Sequence, residues 1–186
     1  MLYQISSLLL EVLAGVLGGA CLLRLYMQYL HIPMSARSSN PLGRFVMALT
    51  DWLVLPLRRV IPAFGPWDTA SLLGAFLIEL AQFSMLWILS GSAVSYGSVL
   101  ILAFFGLLRL AISGLSGLVI VHAVLSWLQS RNLLTDIIGR LVLPLLAPFR
   151  RILPPIGGID LSPLVVLVLL QIAAIILSSL QSAALI

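Results

Sequence analysis

The sequence predicts an all-α membrane protein with four transmembrane helices in two tandem, parallel repeats, each with an amphipathic cytoplasmic loop. Three observations predict this fold class: an apolar composition, four long apolar stretches, and a polar motif that recurs at a fixed spacing. The 186 residues are 61% hydrophobic and 9% charged, with a mean hydropathy of +1.18, whereas soluble domains are roughly 45–50% apolar and 25% charged. A water-soluble domain of this length could not bury so much apolar surface.

The recurring motif indicates an internal duplication. Arg150 lies 92 residues after Arg58, and from these two positions the chain repeats an arginine pair, a proline, a glycine and an aspartate without a gap. Leucines would align by chance in so apolar a chain, but rare polar and turn residues would not. We therefore predict a first repeat over residues 1–92 and a second over 93–186. The same offset relates two further pairs of residues, Asn40 with Asn132 and Pro56 with Pro148.

Four stretches are long enough to span a membrane, since a transmembrane helix needs about 20 predominantly apolar residues. They cover about residues 5–30, 69–89, 98–128 and 161–180. The third is long enough to require tilt, or a break near Gly106, Gly114 or Gly117. The first lacks the positively charged start of a signal peptide, so we expect it to be retained as a helix.

The arginines predict the orientation. The chain has ten arginines, no lysine and a net charge of +4, and most of the arginines fall in the connections 31–68 and 129–160. By the positive-inside rule these connections face the cytoplasm, and both termini lie on the opposite side of the membrane. The charge therefore predicts contact with anionic lipid headgroups and not with nucleic acid. The arginines of the two connections are Arg37, Arg44, Arg58, Arg59, Arg131, Arg140, Arg150 and Arg151.

Both arginine-bearing connections are unusually apolar for loops. Residues 133–153 are mostly Leu, Ile, Val and Pro, and we expect Pro144 and Pro148 to prevent them from spanning as one helix. The pattern favours a short amphipathic helix in the headgroup plane, with its arginines at the level of the phosphates. A re-entrant loop protected by the helix bundle is the alternative.

The motif predicts a structural corner in each repeat, at the point where the connection enters the next span. Asp68 and Asp160 directly precede an apolar helix, where a carboxylate can cap free backbone N–H groups, and Pro163 fits the first turn of that helix. The paired arginines Arg58, Arg59, Arg150 and Arg151 are candidates for contact with a lipid phosphate or a partner protein. The remaining corner residues are Pro62, Gly65, Pro154, Gly157 and Gly158.

Ionisable residues inside apolar spans are functional candidates. Glu79 and Arg109 lie at equal distances from the turn between the second and third spans, so they reach the same depth, and we predict that they form an intramembrane ion pair. Arg24 lies near a helix end and can extend to the interface. Glu11 lies toward the outer interface, and Cys21 lies in an apolar run and is expected to be inert.

The sequence does not predict an enzyme. It contains no Ser/His/Asp arrangement, no glycine-rich phosphate loop and no cluster with metal-ligand spacing. His122 stands near the predicted cytoplasmic end of its span without a second histidine at matched depth other than His31, which favours an interface residue over a haem ligand or proton relay. We therefore expect neither cofactor nor metal.

The duplicated motif resembles that of the YggT family of integral membrane proteins, also called YlmG. The resemblance rests on two sequence features. One is the duplicated unit of Arg-Arg, two hydrophobic residues and Pro, and the other is the Gly-Gly-Ile-Asp-Leu-Ser-Pro run that ends at Pro163. The resemblance covers nearly all of the chain, including Asn40-Pro41 at the entry to the first loop. The first copy departs from the fuller pattern, with residues 63–67 reading Ala-Phe-Gly-Pro-Trp.

The resemblance implies a location in the bacterial inner membrane, where outward-facing termini are periplasmic, and an organising role. Bacterial relatives are linked to osmotic stress tolerance, potassium uptake, cell division and cell shape. Plastid relatives are linked to maturation of a b-type cytochrome and to nucleoid distribution. None of these links assigns a chemical activity to a residue.

Two functions of different classes remain open at this stage. One is a non-enzymatic scaffold or assembly factor whose amphipathic loops dock on lipid and on a membrane-protein partner or a second copy of the chain. The other is a small potassium transporter or channel that uses Glu79 near the bilayer middle. The scarcity of oxygen ligands along the four spans favours the scaffold.

Overall fold

The computed structural model describes residues 2–34, 40–61, 67–91, 96–128, 132–152 and 160–185. Within these ranges the chain forms six α-helices and no strand. Their bounds are α1 Leu2–Tyr29, α2 Pro41–Val60, α3 Thr69–Leu89, α4 Tyr96–Trp127, α5 Leu133–Ile152 and α6 Ser162–Ala184.

Four of these helices, α1, α3, α4 and α6, are long and apolar enough to cross a membrane. The predicted all-α class with four spans is confirmed. Helix α4 continues through Gly106, Gly114 and Gly117 without a break. Its 32 residues extend about 48 Å at about 1.5 Å per residue, so in a hydrocarbon core of about 30 Å the helix must tilt or project beyond it.

The two arginine-bearing connections contain full helices, α2 and α5, each of 20 residues. Both begin at an asparagine whose side chain satisfies a free backbone N–H of the first turn. The Oδ1 atom of Asn40 accepts a hydrogen bond from the Gly43 N–H at 3.0 Å, and that of Asn132 accepts one from Thr135 at 2.9 Å.

Proline does not interrupt these helices, which are longer than the short amphipathic helix that we expected and are not among the four helices apolar enough to span. Pro144 and Pro148 lie inside α5, and Pro56 lies inside α2. Each proline lacks an N–H and so leaves the carbonyl group four residues earlier without its helical donor. All three prolines are exposed, and so are Trp52 and Arg140, each four residues before a proline. The freed carbonyls therefore fall on the outer side of the helix, where solvent or headgroups can bind them.

The helices pack in two similar groups. Helix α1 packs on α3 and is covered by α2, while α4 packs on α6 and is covered by α5. The contact of α3 and α1 with α4 joins the two groups. Each group has its own apolar cluster, built around Cys21, Val54 and Ala75 in the first and around Val119, Val142 and Val166 in the second.

Helices α2 and α5 differ by 92 residues at both ends, the offset at which the sequence motif recurs. Their asparagine caps follow the same offset, and so do Pro56 and Pro148, whereas Pro144 corresponds to Trp52. The duplication stays a prediction, and these matching bounds support it. Because each group begins and ends with a span-length helix, α2 and α5 lie on the same side of the membrane when all four helices span it.

Candidate functional site

The first corner joins the end of α2 to the start of α3 through two hydrogen bonds between Arg58 and Asp68. Arg58 donates from Nε to Oδ1 at 3.2 Å and from Nη2 to Oδ2 at 2.5 Å. Ser71 donates from Oγ to the same Oδ2 at 2.5 Å, and Arg58 Nη2 also donates to Gln28 Oε1 at 2.9 Å. Asp68 is completely buried. The two-point pairing fixes the direction in which the chain leaves α2 and enters α3.

Arg24 extends this corner into the helix bundle. We expected its side chain to reach the interface, but it is only 2% exposed. Its Nη1 atom donates hydrogen bonds of 2.7 Å to Thr50 Oγ1 and to Asp51 Oδ1. Its Nε atom lies 3.9 Å from Asp68 Oδ2. The physical reason is that α2 brings a hydroxyl and a carboxylate against α1 within reach of the guanidinium, so a partner inside the protein replaces the headgroup.

The second corner repeats the arginine–aspartate contact in a more open form. Arg150 donates from Nε to Asp160 Oδ2 at 2.8 Å, and Asp160 Oδ1 accepts a hydrogen bond of 2.9 Å from the Ser162 backbone N–H. The side chains of Arg150 and Asp160 are 40% and 38% exposed. The position 92 residues after Arg24 is Ser116, whose hydroxyl donates to a carbonyl of its own helix. The second corner therefore lacks the buried arginine.

Both aspartates are held in the charged state. Burial alone would raise the pKa of Asp68, but the hydrogen bonds from Arg58 and Ser71 and the charge of Arg58 outweigh it and lower that pKa. Burial likewise acts to raise the pKa of Asp160, and hydrogen bonds from Ser162 and Arg150 lower it overall. We expected both carboxylates to cap backbone N–H groups. Asp160 does so, whereas the Asp68 carboxylate binds the Arg58 guanidinium and the Ser71 hydroxyl.

The two arginines of each pair lie in different surroundings. Arg58 and Arg150 bind the corner aspartates, whereas Arg59 and Arg151 are exposed. Neither Arg59 nor Arg151 forms an ion pair within 4.0 Å in the ranges that the structure describes. Pro163 is buried in the first turn of α6. The other predicted corner residues, Pro62, Gly65, Pro154, Gly157 and Gly158, lie outside the described residues.

The exposed surfaces of α2 and α5 combine large apolar side chains with arginines, and we call them the outer faces. Trp52 and Phe45 of α2 are 62% and 61% exposed. The apolar members are Phe45, Trp52, Leu55 and Val60 on α2, and Leu133, Leu134, Leu143 and Ile152 on α5. The arginines are Arg44 and Arg59 on α2, and Arg140 and Arg151 on α5.

The predicted pair of Glu79 and Arg109 is not in direct contact. Among the described residues no ion pair within 4.0 Å joins them, although they lie within electrostatic range of each other. Glu79 is buried, and its carboxylate fills the space beside Gly106 where a larger residue would place its Cβ atom. Arg109 is exposed on α4. The structure therefore places the Glu79 carboxylate against Gly106 of α4 and not against the Arg109 guanidinium.

The structure gives no metal site in the described part of the chain: no three His, Cys, Asp or Glu side chains there lie close enough to hold an ion. The arrangement at the corners suits ion pairing and surface contact. The arginine pairs and the two aspartates of these corners could be recognised in the sequence. The contacts of Arg24 with Thr50 and Asp51 were missed, and the available signal was that Asp51 is the one acidic residue in α2.

Comparisons with known proteins identify relatives of the whole chain. The family model described as CCB3/YggT matches residues 3–89 and 101–181. The Escherichia coli (strain K12) protein named YggT is 36% identical over 155 residues, which cover 81% of this chain and 77% of that protein. A Vibrio alginolyticus protein described by its place in the proC 3'region is 36% identical over 137 residues, covering 72% and 74%. A Haemophilus influenzae protein is 32% identical over 132 residues, 70% of each chain. No solved structure matches the chain.

Proposed function

Because the chain belongs to the CCB3/YggT family, we propose that it is a non-enzymatic membrane scaffold or assembly factor whose outer faces on α2 and α5 lie at the cytoplasmic surface of the bacterial inner membrane and recruit a partner membrane protein. The division of each arginine pair is the observation that carries the proposal. Osmotic stress tolerance or cell division is the physiological setting that the family resemblance implies.

The first arginine of each pair, Arg58 or Arg150, holds the end of its amphipathic helix in place. Arg58 and Arg150 tie the end of an amphipathic helix to the residue that starts the next span. In the first corner the contacts continue to α1 through Gln28 and Arg24. A helix fixed at its end in this way keeps a defined angle to the spans, which a docking surface requires.

The second arginine of each pair, Arg59 or Arg151, is available to contact lipid headgroups or a partner protein. Within the described ranges Arg59 and Arg151 form no ion pair, and they lie next to exposed apolar side chains such as Val60 and Ile152. A helix with this composition lies in the interface with its apolar residues at the acyl boundary, and each arginine near anionic lipid adds about 1 kcal/mol of attraction. The same mixture of arginine and aromatic residues is typical of the central residues of protein interfaces.

Removal of both outer arginines is expected to abolish partner recruitment. The test places a photoreactive phenylalanine analogue at Trp52 of the full-length protein in growing cells and compares wild type with Arg59→Gln/Arg151→Gln. We expect discrete adducts in the wild type and their loss in the variant, with unchanged amounts of protein in the membrane fraction. Arg59→Lys/Arg151→Lys should retain the adducts, since a point charge satisfies a lipid phosphate.

The control places the same photoreactive residue at Leu13, a lipid-facing position of α1 that is distant in sequence from both corners. Adducts from Leu13 should not depend on the arginines. An adduct pattern from Trp52 that is the same in the wild type and in Arg59→Gln/Arg151→Gln would refute the recruiting role of the outer faces.

One observation favours transport of a cation as a second candidate. Glu79 is 5% exposed and lies in the middle of α3. An intramembrane carboxylate of this kind is a candidate ion or proton site. We expect vesicles containing the oriented protein under a potassium gradient to show the same flux as protein-free vesicles. Flux that is present in the wild type and absent in Glu79→Gln would instead establish the transporter.

A further inference from the structure

One face of α6 carries a row of exposed side chains with the spacing of a helix–helix seam. Successive members are four, three, four, three and four residues apart, which is the spacing of the core positions in a pair of parallel, supercoiled helices. A different face of α6 packs on α4, where Val166 is buried in a cluster with Val119. Helix α6 therefore has a second helix-packing surface, which we call the exposed row. Its members are Leu164, Val168, Gln171, Ile175, Ser178 and Ser182.

The first group of helices shows how this face of a span is used. Glu79 and Phe83 of α3 are the side chains that a Cβ atom at Gly106 of α4 would meet. The positions 92 residues later are Gln171 and Ile175, and both belong to the exposed row. Helix α3 packs on two other spans, α1 and α4, whereas α4 is the one span on which α6 packs to a comparable extent within the described ranges. A face that a helix covers in the first group is therefore open in the second.

Gln171 places a polar group on the exposed row near the middle of the membrane. It lies two residues before the centre of α6, or about 3 Å at about 1.5 Å per residue. Lipid tails at this depth offer no hydrogen-bond partner. A carboxamide has an N–H donor and a carbonyl acceptor, so its partial charges are complementary to those of a second carboxamide. Glutamine in a span hydrogen-bonds across helices for this reason.

We propose that two copies of the chain dimerise through the exposed row of α6, with their Gln171 carboxamides hydrogen-bonded to each other. Two copies inserted in the same direction are related by an axis along the membrane normal, so each residue on the row meets its own counterpart at the same depth. A different protein would need a polar group at that depth, which a second copy supplies by symmetry. Helix α1 of another copy cannot take the place of α4, because Ala14, 92 residues before Gly106, is buried within the chain.

The first test measures dimerisation of the full-length protein with one fluorophore per copy in vesicles of phosphatidylethanolamine and phosphatidylglycerol. Single-molecule photobleaching counts the copies in each spot over a range of protein-to-lipid ratios. We expect two-step bleaching that increases with density in the wild type. Gln171→Leu should need about tenfold more protein for the same dimer fraction, whereas Gln171→Asn keeps a carboxamide and should dimerise. Leucine suits a lipid-facing helix, so insertion should be unchanged.

The second test locates the contact by disulfide cross-linking in membranes. Ile175→Cys and Ile176→Cys are compared in a Cys21→Ala background, which removes the one cysteine of the chain. The two isoleucines are 59% and 54% exposed, but neighbouring residues point about 100° apart on a helix, and only Ile175 belongs to the exposed row. Oxidation should give several-fold more dimer from Ile175→Cys than from Ile176→Cys. Addition of Gln171→Leu should remove this excess.

Three outcomes would overturn the proposal. One-step bleaching of the wild type at every density would mean that the exposed row faces lipid or a different protein. The same density dependence in the wild type and in Gln171→Leu would place the contact between copies elsewhere. Equal cross-linking from Ile175→Cys and Ile176→Cys would indicate random collision. None of these outcomes bears on the recruiting role of Arg59 and Arg151.

Discussion

Asp68→Ala is expected to destabilise the folded protein by about 3–5 kcal/mol, the loss typical when one partner of a buried ion pair is removed. The carboxylate is completely buried and accepts hydrogen bonds from Arg58 and Ser71. Its removal also deprives Arg24, itself 2% exposed, of a nearby negative charge. The measurement is reversible unfolding in mixed micelles followed by circular dichroism.

The control is Asp160→Ala in the second corner, which removes the equivalent contact from a more exposed site. There both side chains are more than one third exposed, so solvent screens the pair and we expect a loss of about 0–1 kcal/mol. The two corners share the arginine and the aspartate at the same spacing, and they differ in burial and in the contacts that Arg24 and Ser71 add to Asp68. Equal losses in the two variants would show that the buried contacts of Arg24 and Ser71 contribute nothing.

The pH dependence of stability provides a second test of the Asp68 contacts. A lowered pKa means that Asp68 stabilises the fold while it is charged, above the ordinary aspartate value of 3.8. This stabilisation decreases as the pH falls below that value toward the lower pKa of the folded state. Asp68→Asn should therefore be less stable than wild type at neutral pH and should lose less stability on acidification. A parallel decline in both proteins would contradict the assignment.

The sequence predicted the spans well because their signal is local. A run of about 20 apolar residues has few alternatives in a membrane, and α3 covers the predicted residues 69–89. The lengths of α2 and α5 could not be predicted in the same way. Whether Pro144 and Pro148 end a helix depends on which side of it they occupy, and that is decided by packing against α4 and α6.

The side-chain contacts at the two corners could not be predicted from the sequence either. The Arg-Arg pair and the aspartate mark a turn, but the sequence gives no rule for which arginine binds inward. The answer comes from the position of Arg58 and Arg59 on the last turn of α2, where only Arg58 reaches Asp68. The contacts of Arg24 with Thr50 and Asp51 join residues that are 26 and 27 positions apart. Such contacts depend on how α2 folds back, and periodicity carries no information about this.

Gly106→Ala is expected to destabilise the contact between α3 and α4 by about 1–3 kcal/mol, the usual cost of overpacking. The added methyl group would lie 2.7 Å from Phe83 Cε2 and would meet the Glu79 carboxylate. Gly114→Ala is the matched control on the same helix, because a Cβ atom there meets nothing within 4 Å. It should be neutral or slightly stabilising, since alanine favours a helix by about 1 kcal/mol over glycine.

A double-mutant cycle then tests where the Glu79 carboxylate lies. If it packs against Gly106, Glu79→Ala makes room for the methyl group, and the two substitutions should couple by about 0.5–3 kcal/mol. Coupling of Glu79→Ala with Arg109→Ala should be weaker, because the guanidinium is exposed and no direct contact joins the pair. The reverse order, with strong coupling to Arg109 and none to Gly106, would restore the direct ion pair that the sequence predicts. The carboxylate would then bridge α3 and α4 by charge and leave the surface of Gly106 free.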